Sequence, residues 1–340
     1  FKRRVAELAT QPLDPSRPLW QFHLVEDLDG AQSAMICRIH HCIGDGIALI
    51  SVTLSIADGG KPPPQRSSRG DERDTLAHSV ASLATHGAQI VQDAAALALM
   101  ADDSHTRLKG TATPGKRVAW GEPLPLDDVK AVSKAYGVSI NDVLLPAVAG
   151  AIGSYLRSQG DDTTGQEIRA MVPVNLRPPG DAYQLGNHFG LVPVLLPIGT
   201  AHPGERLYAV HARMNALKGS TQPLLAFALL ALSGLMVKPM QDLVTGIFAK
   251  KATAVMTNVP GPREPLHFCG RTVHQVMFWV PQSGDIGMGV SILSYAGGVQ
   301  FGLITDAKMC PDPEAIVERF APEFEKLLLL ALMSPWPVLG

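Results

Sequence analysis

Seven residues, His40 to Gly46 (H-H-C-I-G-D-G), place two imidazoles, a carboxylate and two glycines directly after an apolar, strand-like run. A histidine that faces a cavity can take a proton from a hydroxyl near neutral pH. Because successive strand residues point to opposite faces, one histidine would face the reactants and the other would anchor the strand. The segment therefore predicts a general base, with Asp45 as a structural acceptor and Gly46 permitting close backbone approach.

Three other interpretations of this segment compete with the general base. A metal site is disfavoured because the two imidazoles diverge and no nearby third ligand has suitable spacing. Covalent catalysis is disfavoured because the sequence contains no G-x-S-x-G nucleophile elbow, and no separate histidine is identifiable as a partner for Cys42. A polar turn without chemistry remains open on these seven residues alone.

The composition is that of a globular protein, and it narrows the choice of partner. The 340 residues carry 29 Lys and Arg against 31 Asp and Glu, for a formal net charge of −2. Since the basic residues are scattered and aromatic residues make up only 6%, nucleic acid is not expected as a partner. None of the four cysteines forms a C-x-x-C pair, and Cys37 is expected to be a buried, reduced thiol.

The elements that must position this segment can be predicted from local patterns. Two apolar runs flanking residues 28–31 predict a β-hairpin that delivers His40 to Gly46, and a helix is expected to follow. Ser139 and Asp142 have the spacing of a capping box at a helix start. Further strands are expected at 168–174, 191–196, 254–257, 273–280, 289–293 and 299–304, helices at 75–100, 126–136 and 313–333, and a polar connection at 102–125. This order lacks regular βαβ spacing, so it predicts an α/β (α+β) protein with mixed sheets covered by helices.

The His40–Gly46 segment resembles the H-H-x-x-x-D-G motif of the bacterial wax ester synthase/diacylglycerol acyltransferase (WS/DGAT) family. That motif alone indicates only the larger CoA-dependent acyltransferase superfamily, which includes chloramphenicol acetyltransferase and peptide-forming condensation domains. Other segments resemble the WS/DGAT family in the family's own order: Pro18-Leu19-Trp20, Asn141-Asp142, Pro173-Val174-Asn175-Leu176-Arg177, Leu185-Gly186-Asn187 and Asn258-Val259-Pro260-Gly261-Pro262. Together these segments narrow the resemblance to WS/DGAT.

The resemblance implies two chloramphenicol-acetyltransferase-like domains, each a mixed β-sheet covered by helices, with an active-site tunnel between them. Acyl-CoA would enter as co-substrate from one side, and a long-chain alcohol or diacylglycerol from the other. His41 matches the family's general base, which deprotonates the acceptor hydroxyl for direct attack on the thioester without an acyl-enzyme. No cofactor and no metal is required.

The resemblance also assigns supporting residues. His40 and Asp45 map onto supporting roles, and Arg177 is a candidate partner for Asp45. Asn141 and Asp142 match a segment important in the family, with helix capping as the alternative. For Asn258, donation to the oxyanion and shaping of the following turn remain equal alternatives, since the criterion for an oxyanion donor is geometric.

Two apolar segments are candidate walls for an acyl chain. Residues 224–232 are too short to span a membrane comfortably and are expected to form a buried helix that lines an apolar pocket, with an interfacial membrane contact as the alternative. Residues 276–279 are a second candidate. Each buried CH₂ contributes about 0.8 kcal/mol, so such walls would hold a long chain. The chosen residues are Leu225, Leu229, Met277 and Phe278, with ordinary core packing as the alternative for each.

Family members carry a substantial segment before the P-L-W motif, and this chain begins F-K-R-R without an initiator Met. We therefore expect residues 1–58 to be the remainder of the N-terminal domain, 59–125 a linker and helical crossover, and 126–340 the C-terminal domain. The resemblance implies a cytoplasmic enzyme peripherally associated with the inner membrane or with lipid inclusions. A non-catalytic lipid-binding paralogue and an amide-forming, condensation-type acyltransferase are the alternatives.

Overall fold

The structure, a computed structural model, describes residues 1–28, 30, 32–60, 100–177, 186–218, 222–227, 238, 246, 249–280, 282 and 284–333. The helix predicted at 75–100 lies outside these ranges except for its last residue. Leu229, Leu185 and two residues of the predicted hairpin turn, Asp29 and Ala31, also lie outside them.

The N-terminal part consists of a helix, a β-hairpin and a second helix: α1 (Lys2–Thr10), β1 (Trp20–Leu28), β2 (Gln32–Ile39) and α2 (Gly46–Ile56). The two strands pair antiparallel with Trp20 opposite Ile39, which confirms the predicted hairpin. Because β2 ends at Ile39, the His40–Gly46 segment follows the strand directly and leads into α2, as predicted.

The rest of the described chain is organised around one mixed sheet of seven strands. Its strands are β3 (Lys116–Trp120), β4 (Leu124–Pro125), β5 (Ile168–Asn175), β6 (Phe189–Leu196), β7 (Ala254–Pro260), β10 (Met288–Tyr295) and β11 (Gly298–Asp306). Six strands lie in the order β3-β11-β10-β7-β5-β6, and β4 pairs with β11 beside β3. β7 runs parallel to β10 and β5, and the other pairs are antiparallel. A separate two-stranded pair is formed by β8 (His267–Phe268) and β9 (Arg271–Thr272).

Four helices cover one face of the large sheet: α3 (Leu126–Tyr136), α4 (Ile140–Ser158), α5 (Pro203–Lys218) and α6 (Pro313–Met333). Ser139 and Asp142 form the predicted capping box, so α4 begins where the sequence indicates. Buried residues of all four helices and of the sheet form the main core. A mixed sheet covered by helices confirms the predicted α/β (α+β) class.

The hairpin and α1 lie on the opposite face of the large sheet. Val118 and Ile304 belong to a small core with Val5 of α1 and Ile36 of β2. Their immediate neighbours along the strands belong to the main core. Because successive strand residues alternate between faces, the sheet separates the hairpin from the four helices.

Three predictions about local structure are wrong. Residues 273–280 form no strand; this segment crosses the face of the sheet, where the Met277 thioether covers Gly302, so its apolar run reflects packing and not strand pairing. The connection at 102–125 contains β3, which pairs with β11 as an edge strand; its short apolar core between polar residues concealed it. Cys37 is exposed, because its side chain shares the open face of the hairpin with Phe22 opposite.

Within the described ranges, no single helix is long and apolar enough to cross a membrane; only α3 and α4 taken together reach that length and composition, and they are bent by 104° where they meet.

A cavity of about 460 Å³ lies between α1 and the edge strand β3. Its lining is mainly charged and includes Lys2, Arg3, Lys116 and Arg117, and none of the predicted site residues borders it. The tunnel expected beside His41 therefore stays a prediction, as do the domain boundaries at residues 58 and 125.

Candidate active site

The turn after β2 is held together by the first of its two histidines. The backbone N–H of His40 donates to the carbonyl of Leu19 at 2.9 Å, which ties the turn to the start of β1. The Nδ1 atom of His40 accepts from the backbone N–H of Cys42 at 3.2 Å. One imidazole nitrogen of His40 is therefore engaged within the turn itself.

Asp45 links this turn to two distant parts of the chain. It is the N-cap of α2, and its Oδ1 accepts from the backbone N–H of Ala48 at 3.2 Å. Its Oδ2 accepts from Nη1 of Arg177 at 2.5 Å and from the backbone N–H of His188 at 3.2 Å. The Arg177 and Asp45 side chains are only 3% and 10% exposed, so each buried charge depends on the other. The expected partnership of Arg177 with Asp45 is present.

The turn also pairs with backbone preceding β6. Gly186 donates its N–H to the carbonyl of Ile43 and accepts from the N–H of Asp45, both at 3.1 Å. Gly186 adopts a φ of 121°, in a region of backbone conformation that residues with a side chain rarely occupy. Arg177 Nη2 donates to the Gly186 carbonyl at 2.6 Å, and the Asn187 amide donates to the His41 carbonyl at 2.8 Å. The His40–Gly46 turn and residues 186–187 of a second family-like segment are therefore in contact.

The His41 ring lies against the first residue of β6. Its centroid is 5.9 Å from the Phe189 ring, at an interplanar angle of 62°. The ring of the preceding residue, His188, stacks instead on Phe227 of the helical residues 222–227, with centroids 5.9 Å apart. Within the described residues, Phe189 is therefore the aromatic side chain that contacts the histidine predicted to be the base.

Gly46 and Asn141 approach β7 from opposite faces, Gly46 at Val259 and Asn141 at Asn258. A Cβ on Gly46 would lie 3.2 Å from Val259, so the start of α2 approaches β7 closely. Asn258, which precedes Val259 on the strand, donates from Nδ2 to Oδ1 of Asn141 at the start of α4, at 2.5 Å. Since neighbouring strand residues face opposite ways, the Asn258 side chain is on the α4 side of the sheet and His41 on the hairpin side. This placement favours a structural role for Asn258 over oxyanion donation.

Asp142 makes a contact that the sequence did not indicate. Its side chain is fully buried and Oδ2 lies 2.9 Å from Nδ1 of His211 on α5. Burial by itself raises the pKa of Asp142, but hydrogen bonds from His211 and Ser139 outweigh it and hold the pKa below its ordinary value. His211 was missed because it is a lone histidine, 69 residues away along the chain, with no motif around it.

The candidate substrate-binding residues do not converge on one wall. Leu225 is buried in the helical residues 222–227, which approach β6 through a close contact between Pro223 and Gly190. Met277 covers Gly302 of β11, and Phe278 is half-buried beside it. Three strands lie between β6 and β11, and with about 4.8 Å between neighbours the two positions are roughly 19 Å apart. The substrate-binding role of each residue stays a prediction.

Comparisons with known proteins identify the family on both parts of the chain. The model of the wax ester synthase/diacylglycerol acyltransferase catalytic domain matches residues 1–74 and 70–144, and that of the WS/DGAT C-terminal domain matches residues 185–328. A putative diacylglycerol O-acyltransferase of Mycobacterium tuberculosis is 30% identical over 348 residues, covering 95% of this chain and 76% of the relative. A probable diacylglycerol O-acyltransferase of the same species is 27% identical over 329 residues, covering 91% and 71%.

A solved structure agrees with these sequence relatives. The wax ester synthase/diacylglycerol acyltransferase from Marinobacter aquaeolei VT8 superimposes with a TM-score of 0.66 over 98% of this chain and 77% of that one, at 22% sequence identity. At this identity the superposition shows the fold, and it is consistent with the predicted two-domain architecture. Together with the relatives and the matched domains, it establishes that the chain belongs to the WS/DGAT family and is an acyltransferase.

Proposed function

We propose that this chain moves a long-chain fatty acyl group from acyl-CoA to the hydroxyl of a fatty alcohol or of diacylglycerol. The products would be a wax ester or a triacylglycerol, and free CoA. His41 acts as the general base, and no acyl-enzyme forms. Acyl-CoA is a co-substrate, and the proposed reaction uses no cofactor or metal.

The observation that carries this proposal is the difference between the two imidazoles of the turn. His40 Nδ1 accepts a backbone N–H inside the turn. Within the described part of the chain, the hydrogen bonds involving His41 reach its backbone carbonyl and not its ring nitrogens. Its ring is fixed by Phe189 while its nitrogens remain available for a substrate. A general base needs this combination of a fixed ring and an available nitrogen.

The proposed reaction balances with one proton acceptor. His41 takes the proton of the acceptor hydroxyl as its oxygen attacks the thioester carbonyl, giving a tetrahedral intermediate and an imidazolium. Collapse of the intermediate breaks the carbon–sulfur bond, and the imidazolium returns the proton to the departing CoA thiolate. The base is therefore neutral again after each turnover.

The other residues of the turn position His41. Asp45 is held between Arg177 and two backbone N–H groups, so the turn has little freedom to move. His40 anchors the turn to β1. Asn258 and Asn141 support the opposite face of β7, and Gly46 lets α2 approach that strand.

The test is release of free CoA thiol from palmitoyl-CoA in the presence of hexadecanol or diacylglycerol. His41→Ala should lower turnover by about 10²-fold or more, because general-base catalysis contributes at least this much. His40→Ala is the matched control: it removes an imidazole from the same turn and should cost less. Absence of CoA release with every long-chain acceptor, or near-normal turnover of His41→Ala, would overturn the proposal.

Acceptor profiling separates this proposal from its two alternatives. A condensation-type enzyme would form amides with amine acceptors in preference to esters. A non-catalytic lipid-binding protein would bind palmitoyl-CoA with equal affinity in the wild type and in His41→Ala, without turnover. Mass analysis of the products from paired alcohol and amine acceptors distinguishes all three outcomes.

We also propose peripheral association with the inner membrane or with lipid inclusions. The support is chemical, since long-chain alcohols, diacylglycerols and their esters partition into lipid. Cosedimentation with phosphatidylcholine vesicles that contain diacylglycerol tests this location. Protein that remains in the supernatant at every lipid concentration would contradict it.

A further inference from the structure

Three consecutive residues, the two that precede β6 and the first residue of that strand, all contact the His40–Gly46 turn. The Asn187 side chain donates to the His41 carbonyl at 2.8 Å, and the His188 backbone N–H donates to Asp45 at 3.2 Å. Phe189 places its ring beside the His41 ring. The first two contacts fix the backbone and the carboxylate of the turn, and the third is the one that reaches the imidazole itself.

Phe189 is held in place by strand pairing and by a helical segment that packs against the next residue. It pairs with Asn175 as the first residue of β6, in register with the antiparallel strand β5. At the following residue, Gly190, a Cβ would lie only 1.9 Å from the carbonyl oxygen of Pro223, so the helical residues 222–227 press against the strand. Val192 and Val194 face the main core. By alternation, Phe189 faces the hairpin side of the sheet, where His41 lies.

We propose that Phe189 is a positioning residue for the general base, and this inference rests on the proposed function. Its ring restricts the orientation of the His41 imidazole. The two rings are T-shaped, with centroids 5.9 Å and planes 62° apart, and we place the imidazole edge over the Phe189 face, where the π-electrons attract the imidazolium that forms in the transition state. Neutral imidazole gains less from the ring, so the contact favours the transition state over the ground state.

The other titratable groups around His41 are identifiable. His40 lies on the same turn, with Nδ1 engaged by the N–H of Cys42. Asp45 is neutralised by Arg177, which stands on the segment after β5. His188, the residue before β6, stacks on Phe227 of the helical residues 222–227. These groups are unchanged by a substitution at Phe189, so a change in pH dependence there reports the ring contact.

The experiment compares two replacements of Phe189 in the full chain. Phe189→Tyr keeps the ring and should retain activity within about 2-fold, whereas Phe189→Leu keeps an apolar side chain without a ring and should lower kcat by about 5-fold, the factor expected from loss of a cation–π contact. KM for palmitoyl-CoA should change little. The acid limb of the pH–rate profile should move to lower pH in Phe189→Leu, because the imidazolium loses a stabilising neighbour. Phe227→Leu is the matched control, since that ring stacks on His188 and not on His41.

A double-mutant cycle and a binding measurement complete the test. In a His41→Ala background, Phe189→Leu should cause no further loss of turnover, because its effect acts through the imidazole. An equal loss in both backgrounds, or the same loss in Phe189→Tyr as in Phe189→Leu, would overturn the inference. The wild type without transferase activity would overturn the proposed function instead. In that case the rate of His41 carbethoxylation still decides the contact, which should be faster in Phe189→Leu than in wild type, and an unchanged rate refutes it.

Discussion

Two helices of this molecule begin beside a buried aspartate, and the partners of these two carboxylates differ in kind. Asp45 at the start of α2 is held by the guanidinium of Arg177, and Asp142 at the start of α4 is held by the imidazole of His211. Each carboxylate also accepts a backbone N–H at the start of its own helix. A guanidinium is always charged, whereas an imidazole is charged only when protonated. We call the contact between Arg177 and Asp45, in the turn with the candidate base, the permanent clamp. The contact between His211 and Asp142, at the start of α4, is the conditional clamp.

The two clamps also differ in what they join. Arg177 donates to Asp45 and to the Gly186 carbonyl, so it connects the catalytic turn to the backbone that precedes β6. His211 connects two helices on the other side of the sheet, and its Nε2 lies 2.8 Å from the amide nitrogen of Asn215. Since an ionised carboxylate can only accept a hydrogen bond, Nδ1 is the nitrogen that donates to Asp142. Oδ1 of Asp142 is buried and, within the described residues, has no hydrogen-bond partner.

The largest expected effect comes from breaking the permanent clamp. Arg177→Leu leaves the Asp45 carboxylate buried without its cationic partner, and should lower the free energy of unfolding by about 3 kcal/mol or more. Urea denaturation measures this change. The control is Arg107→Leu, which breaks an ion pair with Asp161 whose side chains are 36% and 31% exposed and should cost less than about 1 kcal/mol. Equal losses in the two variants would show that burial does not distinguish these pairs.

Sequence reasoning predicted the parts of this architecture that local chemistry specifies. The capping box at Ser139, the hairpin before His40 and the helix at 313–333 all lie where the patterns indicate. Each depends on residues within a few positions of one another, so the signal is contained in a short stretch. The pairing of Asp45 with Arg177 spans 132 residues and was anticipated only because both belong to motifs that resemble one family.

The failures have a common physical origin in contacts between distant elements. Residues 273–280 contain a continuous apolar run that resembles a strand because the segment lies across the sheet, and no local property distinguishes packing on a sheet from pairing within one. His211 sits alone on α5, and only the packing of α5 on α4 brings it to Asp142. Asn258 was ambiguous for the same reason, since its role depends on which face of β7 it occupies. Tertiary packing determines all three.

An intermediate effect is expected from the conditional clamp. His211→Leu removes the N–H that reaches Asp142 and should lower the free energy of unfolding by about 1–2 kcal/mol, the cost of an unsatisfied buried acceptor. His211→Asn is the conservative variant, because its amide can place a donor near the position of Nδ1, and it should recover part of the loss. His202→Ala provides the control at the residue before the same helix, since its Nδ1 accepts from the Glu205 N–H and does not reach α4. A loss in His202→Ala as large as that in His211→Leu would assign the effect to α5 alone.

The smallest effect is the pH dependence that Asp142 gives to stability. Its pKa in the folded protein is below the ordinary value, so the unfolded chain binds the proton more readily and folding is favoured while the carboxylate is ionised. This contribution is fully present above the unfolded pKa of about 3.9 and is lost as the pH falls below it toward the folded pKa. Asp142→Asn should therefore be less stable than wild type at pH 7, and the difference should shrink as the pH falls through about 4. Chemical denaturation between pH 3 and 7 measures both curves. Asp127→Asn, at an exposed carboxylate on α3, should run parallel to wild type; if Asp142→Asn does so too, the imidazole clamp contributes nothing that depends on the charge of Asp142.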